Sequence, residues 1–290
     1  MQDTIFTQVL LPAILGVIMF GMGLSLEKED FVRIAKVPKS VAAGLLGQVI
    51  LLPLFAFALV TAFSAPIEIA IGLMILAACP GGTTSNLISH IARANLALSV
   101  SLTAITTVIC VITTPFLIKF SINHFTQSDN IEFSLIGISL KLVILLIVPI
   151  SIGMLLRHFF SKVARRAEPF FRHFSTAFML MLIVVIAYQE REMMQASFPD
   201  IFYITFSLNI GATIMGVLLA KAFSLSKKDG LTLGIEIGTQ NASMAMLIAI
   251  TFIENSAYSI AAGIYGVTMY LGAFLLVGYH KMTLPRAVAD

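Results

Sequence analysis

Charge is scarce in this sequence. Of its 290 residues only 11% are Asp, Glu, Lys or Arg, while 58% are hydrophobic and the mean hydropathy is +0.98. Soluble domains carry roughly 25% charged residues, so a soluble protein is excluded and an all-α polytopic membrane protein is indicated. Cysteine is nearly absent. Cys79 and Cys110 form no C-x-x-C pair and read as small buried hydrophobes, not as redox or metal groups. The five histidines fall at segment ends, with no H-E-x-x-H or other metal-binding spacing. There is no G-x-S-x-G motif and no histidine at membrane depth to serve Ser85 or Ser99. An intramembrane hydrolase is therefore disfavoured, and the chain does not read as an enzyme. Nothing supports a nucleic acid, nucleotide or redox cofactor as partner, and no obligate protein partner is evident. Tryptophan is missing altogether, so only Tyr188, Tyr203, Tyr258 and Tyr279 suggest an interfacial aromatic belt.

What is present is a succession of apolar runs of about the length that crosses a bilayer. Nine are read, lettered A to I: residues 5–26, 39–63, 67–92, 95–122, 131–157, 171–189, 198–223, 229–253 and 256–280. The first follows Met1-Gln2-Asp3-Thr4 without the basic region or cleavage site of a signal peptide, and reads as a retained helix. With nine crossings, fifteen of the eighteen Lys and Arg residues fall on one side. Lys119 and Arg191 fall on the other, and Lys141 lies within E, where it either snorkels to an interface or meets a carboxylate or substrate. Cytoplasmic loops are rich in Lys and Arg, which puts the N-terminus outside and the C-terminus in the cytoplasm of an inner-membrane protein. No linker divides the chain, so residues 1–290 are read as one transmembrane domain.

Two spans are interrupted. C contains Ala78-Cys79-Pro80-Gly81-Gly82-Thr83-Thr84-Ser85-Asn86. Within a helix, Pro is unfavourable by about 3 kcal/mol and Gly by about 1 kcal/mol relative to Ala, so the helix should break there. H contains Gly234-Ile235-Glu236-Ile237-Gly238-Thr239-Gln240-Asn241, with a carboxylate and two amides near mid-membrane. Its G-x-x-x-G suits helix packing but leaves Glu236, Gln240 and Asn241 unexplained. Broken backbone at membrane depth lines a cavity or is buried in protein. Matched breaks in the two halves point to an inverted-repeat secondary transporter: C is third in A–B–C–D, and H is third in F–G–H–I.

The break residues supply oxygens, which suit a hard cation such as Na⁺. Thr83, Thr84, Ser85 and Asn86 provide them at the first break, and Glu236, Thr239, Gln240 and Asn241 at the second. Glu236 is the candidate for the charge that balances a cation. Ser99 and Thr103 in D share a helix face and are followed by Thr106 and Thr107; each could instead bond only its own backbone. Gln48 in B is equally interhelical glue or ion ligand. Half-helix N-termini favour anions, so the pattern suggests Na⁺ symport of an organic anion. Proton coupling through Glu236 is the alternative, and a passive anion channel a third.

The runs Gly21-Met22-Gly23-Leu24, Cys79 to Asn86, Ala92 to Ser99 and Glu236-Ile237-Gly238-Thr239-Gln240-Asn241 resemble the bile acid:sodium symporter family over essentially the whole chain. That resemblance implies a core of about residues 39–122 and 198–280 and a panel of about 1–38 and 131–190, with two broken helices crossing in the core. It implies two sodium ions, one at Ser85, Asn86, Ser99, Thr103 and Glu236. The second would be held by Gln48, Glu236, Gln240 and the carbonyls of Ile237 and Thr239. Thr83 and Asn241 would face a bile acid-like substrate or a small carboxylate such as pantoate.

Overall fold

The computed structural model describes residues 9–126 and 135–283. The described residues are helical throughout, with one isolated β-bridge and no strand. Six helical stretches are long and apolar enough to cross a membrane: Pro38–Ala62, Leu96–Thr126, Ser139–Phe159, Ser161–Gln189, Phe198–Ala222 and Ala257–His280. Three shorter apolar helices, Leu11–Ser25, Ile67–Ala78 and Ala242–Thr251, accompany them. The chain is thus a multi-pass all-α membrane protein.

In chain order, α1 is Leu11–Ser25 and α2 is Lys28–Lys36; α3 (Pro38–Leu45) and α4 (Leu52–Ala62) are joined by a π-helical turn, Leu46–Leu51. Next come α5 (Ile67–Ala78), α6 (Thr83–Ile91) and α7 (Leu96–Thr126). A second π-turn, Val143–Ile147, links α8 (Leu135–Leu142) to α9 (Val148–Phe159). The remainder is α10 (Ser161–Gln189), α11 (Arg191–Ala222), α12 (Lys227–Gly238), α13 (Ala242–Thr251) and α14 (Ile260–Thr283). Both π-turns lie just before a proline, Pro53 and Pro149. A proline in a helix lacks the N–H and crowds the carbonyl four residues earlier, and a widened turn relieves that crowding without breaking the helix.

The expected break in C lies between Ala78 and Thr83, and that in H between Gly238 and Ala242. Two charged stretches beside the expected spans are helical. The stretch 27–39, at the connection of A to B, contains α2, whose polar and apolar residues segregate to opposite faces. The stretch 158–170, which connects E to F, is almost entirely helical: α9 runs to Phe159 and α10 begins at Ser161. Charged residues mark where a chain leaves hydrocarbon, not where its helix ends. Residues 5–8 of A and 131–134 of E lie outside the described residues.

Helices α1, α9 and α10 pack on one another, and α1 and α10 also touch α13. The α1–α9 crossing is close. A Cβ on Gly23 would fall 2.2 Å from the carbonyl oxygen of Ile150, and one on Gly153 would fall 2.4 Å from that of Phe20. The glycines of Gly21-Met22-Gly23 therefore serve helix packing. At one end of this group Arg157 donates to Glu27 Oε1 at 2.9 and 2.6 Å, and Arg165 approaches the same oxygen at 3.7 Å. Gly23→Ala should lower unfolding stability by about 1–3 kcal/mol through overpacking, read as a fall in Tm in detergent, while Gly16→Ala, with open space around it, should not.

Candidate functional site

The two breaks meet. Gly81 and Gln240 form an antiparallel bridge, and the backbone N–H of Asn241 donates to the carbonyl of Pro80 at 3.1 Å. A helix end leaves carbonyls without partners, and here side chains from other helices take them up. Thr114 donates to the Ala78 carbonyl at 2.7 Å, and Gln48 Nε2 to that of Cys79 at 3.2 Å. Asn209 Nδ2 and the Tyr265 hydroxyl donate to the Gly238 carbonyl at 2.8 and 2.9 Å. Thr114, Asn209 and Tyr265 were not singled out from the sequence. The signal for Asn209 was there, a lone amide inside an apolar span, whereas a hydroxyl or phenol in an apolar helix is too common to single out.

Beside this crossing lies Glu236, only 1% exposed. Its Oε2 accepts from Ser85 and Ser99, both at 2.7 Å, and its Oε1 from Thr103 at 2.5 Å. Gly81 is required here, because a Cβ on it would lie 2.5 Å from Glu236 Oε1. The hydroxyls are oversubscribed. Ser85 also lies 2.7 Å from the Gly82 carbonyl, Ser99 2.8 Å from Asn86 Oδ1, and Thr103 3.0 Å from the Ser99 carbonyl. A hydroxyl carries one proton, so three protons serve five acceptors: both Glu236 oxygens, two carbonyls and Asn86 Oδ1. A cluster of close oxygens of this kind is chemically suited to a hard cation, which takes oxygen ligands.

A second cluster adjoins it. Gln48, placed by the first π-turn, donates from Nε2 to Gln240 Oε1 at 2.6 Å. Gln240 Nε2 lies 3.3 Å from Gln48 Oε1 and donates to the Ile237 carbonyl at 2.8 Å. Gln48 is thus interhelical glue, whatever else it does. Thr239 Oγ1 is buried without a hydrogen-bond partner.

Hydrogen bonds therefore join Ser85, Asn86, Ser99, Thr103 and Glu236 in one cluster, and Gln48, Gln240 and the Ile237 carbonyl in another; Glu236 bonds only within the first, and Thr239 follows Gly238 and precedes Gln240 in the second break. Thr106 and Thr107 are not members. Thr106 bonds the Leu102 and Thr103 carbonyls of its own helix, and Thr107 bonds the Thr103 carbonyl and the Met22 sulfur. Lys141 is exposed on α8 and lines no part of the site. Ser89, missed from the sequence, reaches Ser99 at 3.3 Å.

On the far side of the breaks is a narrow cleft of about 30 Å³, lined by Thr83, Thr84, Asn241, Ser243, Met22, Phe171 and Tyr270, among others. No side chain caps α6; the Ser85 N–H donates to the Gly82 carbonyl at 3.0 Å, and the N-terminal end of the helix faces the cleft at Thr83 and Thr84. Asn241 does cap α13, accepting from the Met244 N–H at 3.0 Å through Oδ1, which leaves its Nδ2 as the group to present to a ligand.

The family model described as the Sodium Bile acid symporter family matches residues 12–197. The chain belongs to that family. It is accordingly a membrane transporter of a sodium-dependent family and not an enzyme. An uncharacterised sodium-dependent transporter of Bacillus subtilis is 28% identical to it, over 95% of this chain and 84% of that protein. A bovine sodium-dependent organic anion transporter is 28% identical over 97% of this chain and 74% of its own length. The human ileal sodium/bile acid cotransporter is 29% identical over 82% and 68% respectively.

Thr103→Val should lower stability by about 1.5–3 kcal/mol, the range for a hydrogen bond to a charged group. Thr106→Val, which removes only a bond within its own helix, should change it by less than about 0.5 kcal/mol. Thermal unfolding of the two variants in detergent measures the contrast.

Proposed function

We propose that this protein couples inward movement of Na⁺ to uptake of an organic anion across the inner membrane by alternating access. The oversubscribed oxygen cluster around Glu236 carries this reading. It supports one sodium held by Ser85, Asn86, Ser99, Thr103 and Glu236. A second is assigned to Gln48, Glu236, Gln240 and the carbonyls of Ile237 and Thr239. Two sodium ions with one monoanion carry one net positive charge inward, worth about 2.3 kcal/mol per 100 mV of membrane potential.

The anion is placed in the cleft, against the uncapped N-terminus of α6, Thr83 and the Asn241 amide, because a helix N-terminus favours negative charge. Its substrate class is a bile acid-like or small carboxylate anion such as pantoate. Sodium binding fixes α6 and α12, whose ends shape the cleft, and in this way couples the two ligands.

This reading takes the chain as nine crossings, with α5–α6 and α12–α13 each counted as one broken helix, the N-terminus outside and the C-terminus in the cytoplasm. Recurring turns support the inverted repeat. Phe63, Ser64 and Ala65 donate to Leu59, Thr61 and Val60, and Phe223, Ser224 and Leu225 repeat that pattern on Leu219, Lys221 and Ala220. Ser64 and Ser224 share a left-handed φ of 47° and 54°. Helices α1, α9 and α10 form the panel, and α3–α7 with α11–α14 the core that moves against it.

In thermal unfolding, NaCl should stabilise the protein more than KCl or choline chloride, since a ligand of the folded state adds RT ln(1 + [L]/Kd). Glu236→Gln and Gln48→Ala should each remain folded and bind sodium more weakly, by about tenfold or more for the buried charge. Equal response to all three salts would replace sodium by proton coupling at Glu236. Unchanged sodium affinity in both variants would remove the site assignment.

A further inference from the structure

Five basic residues stand between the end of α9 and the first half of α10, and their surroundings separate them. Arg157 and Arg165 are engaged with Glu27, and Lys162 and Arg166 are exposed. Arg172 alone lines the cleft. Its helix face is continuous: Glu168, Arg172, Ser175, Thr176 and Met179 recur at helical spacing, and all five line the cleft. Arg172 Nη1 stands 3.3 Å from Glu168 Oε1, with the two side chains 28% and 20% exposed. That separation is longer than the ~2.7–2.9 Å of a charge-assisted hydrogen bond. An i,i+4 pair of this kind holds weakly, whereas a guanidinium can take a free carboxylate through two parallel N–H groups.

We propose that Arg172 is the specificity-determining residue for the transported anion, binding its acidic group across the cleft from Thr83 and Asn241, and that Glu168 is the internal counter-ion which that group displaces. The proposal rests on the cleft being the anion site. It assigns the substrate an acidic group at one end, paired with Arg172, and an apolar body against Met22, Phe171, Met179 and Tyr270. Glu168 keeps the unliganded cleft electrically balanced and makes anion binding a competition. The two members of the pair therefore have opposite effects: losing the arginine weakens anion binding, and losing the glutamate strengthens it.

The experiment is thermal unfolding of the full chain in detergent at fixed NaCl, titrated with taurocholate, pantoate and pyruvate, with methyl pyruvate as the uncharged control. For each anion that stabilises the unaltered protein, Arg172→Gln should raise Kd by about 10- to 100-fold. Arg172→Lys should fall between, and Glu168→Gln should lower Kd. Stabilisation by sodium alone should be the same in all three variants, and methyl pyruvate should show no dependence on Arg172. An unchanged Kd in Arg172→Gln overturns the proposal while leaving the cleft as the anion site. So does equal weakening by Arg172→Gln and Glu168→Gln, which would make the pair a structural strut. If none of the three anions stabilises the unaltered protein, the cleft reading falls and the proposal falls with it.

Discussion

A carboxylate buried where two helices have come apart governs much of this structure. Taking Glu236 out of water is unfavourable, by about 2.5–3.5 kcal/mol on insertion scales for an acidic residue at mid-membrane. Its three hydroxyl donors come from α6 and α7, so the carboxylate on α12 binds the first broken segment to the second. The lack of a side chain at Gly81 lets the opposing backbone pass within contact of the carboxylate. The same constraint underlies the proposed chemistry, because an oxygen-rich cluster around a buried carboxylate suits a small, hard cation.

The backbone of the crossing is held on both sides by side chains from outside it. Thr114, Gln48, Asn209 and Tyr265 satisfy the carbonyls that the breaks release, as they must where no water competes for them. The Ile237 carbonyl next to them is held by Gln240 Nε2. A cation that draws on these oxygens therefore acts on α6 and α12, and through them on the cleft wall at Gly82, Thr83 and Gln240. The coupling asked of a symporter needs no longer path than this.

The two sides of the cleft differ in kind. The wall made by the breaks presents backbone N–H groups and small polar side chains, while α1 and α10 contribute apolar bulk and the Glu168–Arg172 pair. Helix α1 meets α9 through glycines at near-backbone contact, which favours its moving as one body with α9 and α10. Polar recognition on one wall and a rigid, mostly apolar surface on the other suit an anion with an apolar body.

The sequence by itself determined the class and the positions of both breaks, while the grouping of the oxygens into two sets came only from the family resemblance. Charge scarcity, proline and glycine next to polar residues, and a lone acidic residue in an apolar run each leave a local mark. What it left open was decided by neighbours distant in the chain. Residue pattern alone leaves Gln48 open between glue and ligand, and only the fold sets its amide on Gln240, 192 residues away. Thr106 and Thr103 carry the same side chain on one helix, and only the approach of α12 gives one of them Glu236 and the other its own backbone. Arg172 stands at the start of the sixth apolar run with nothing in the sequence to name its surroundings; the continuous α10 turns it into the cleft. Local pattern reports what a segment cannot be, whereas the partner of a buried polar group is set by which helices meet there, and that is a property of the tertiary structure alone.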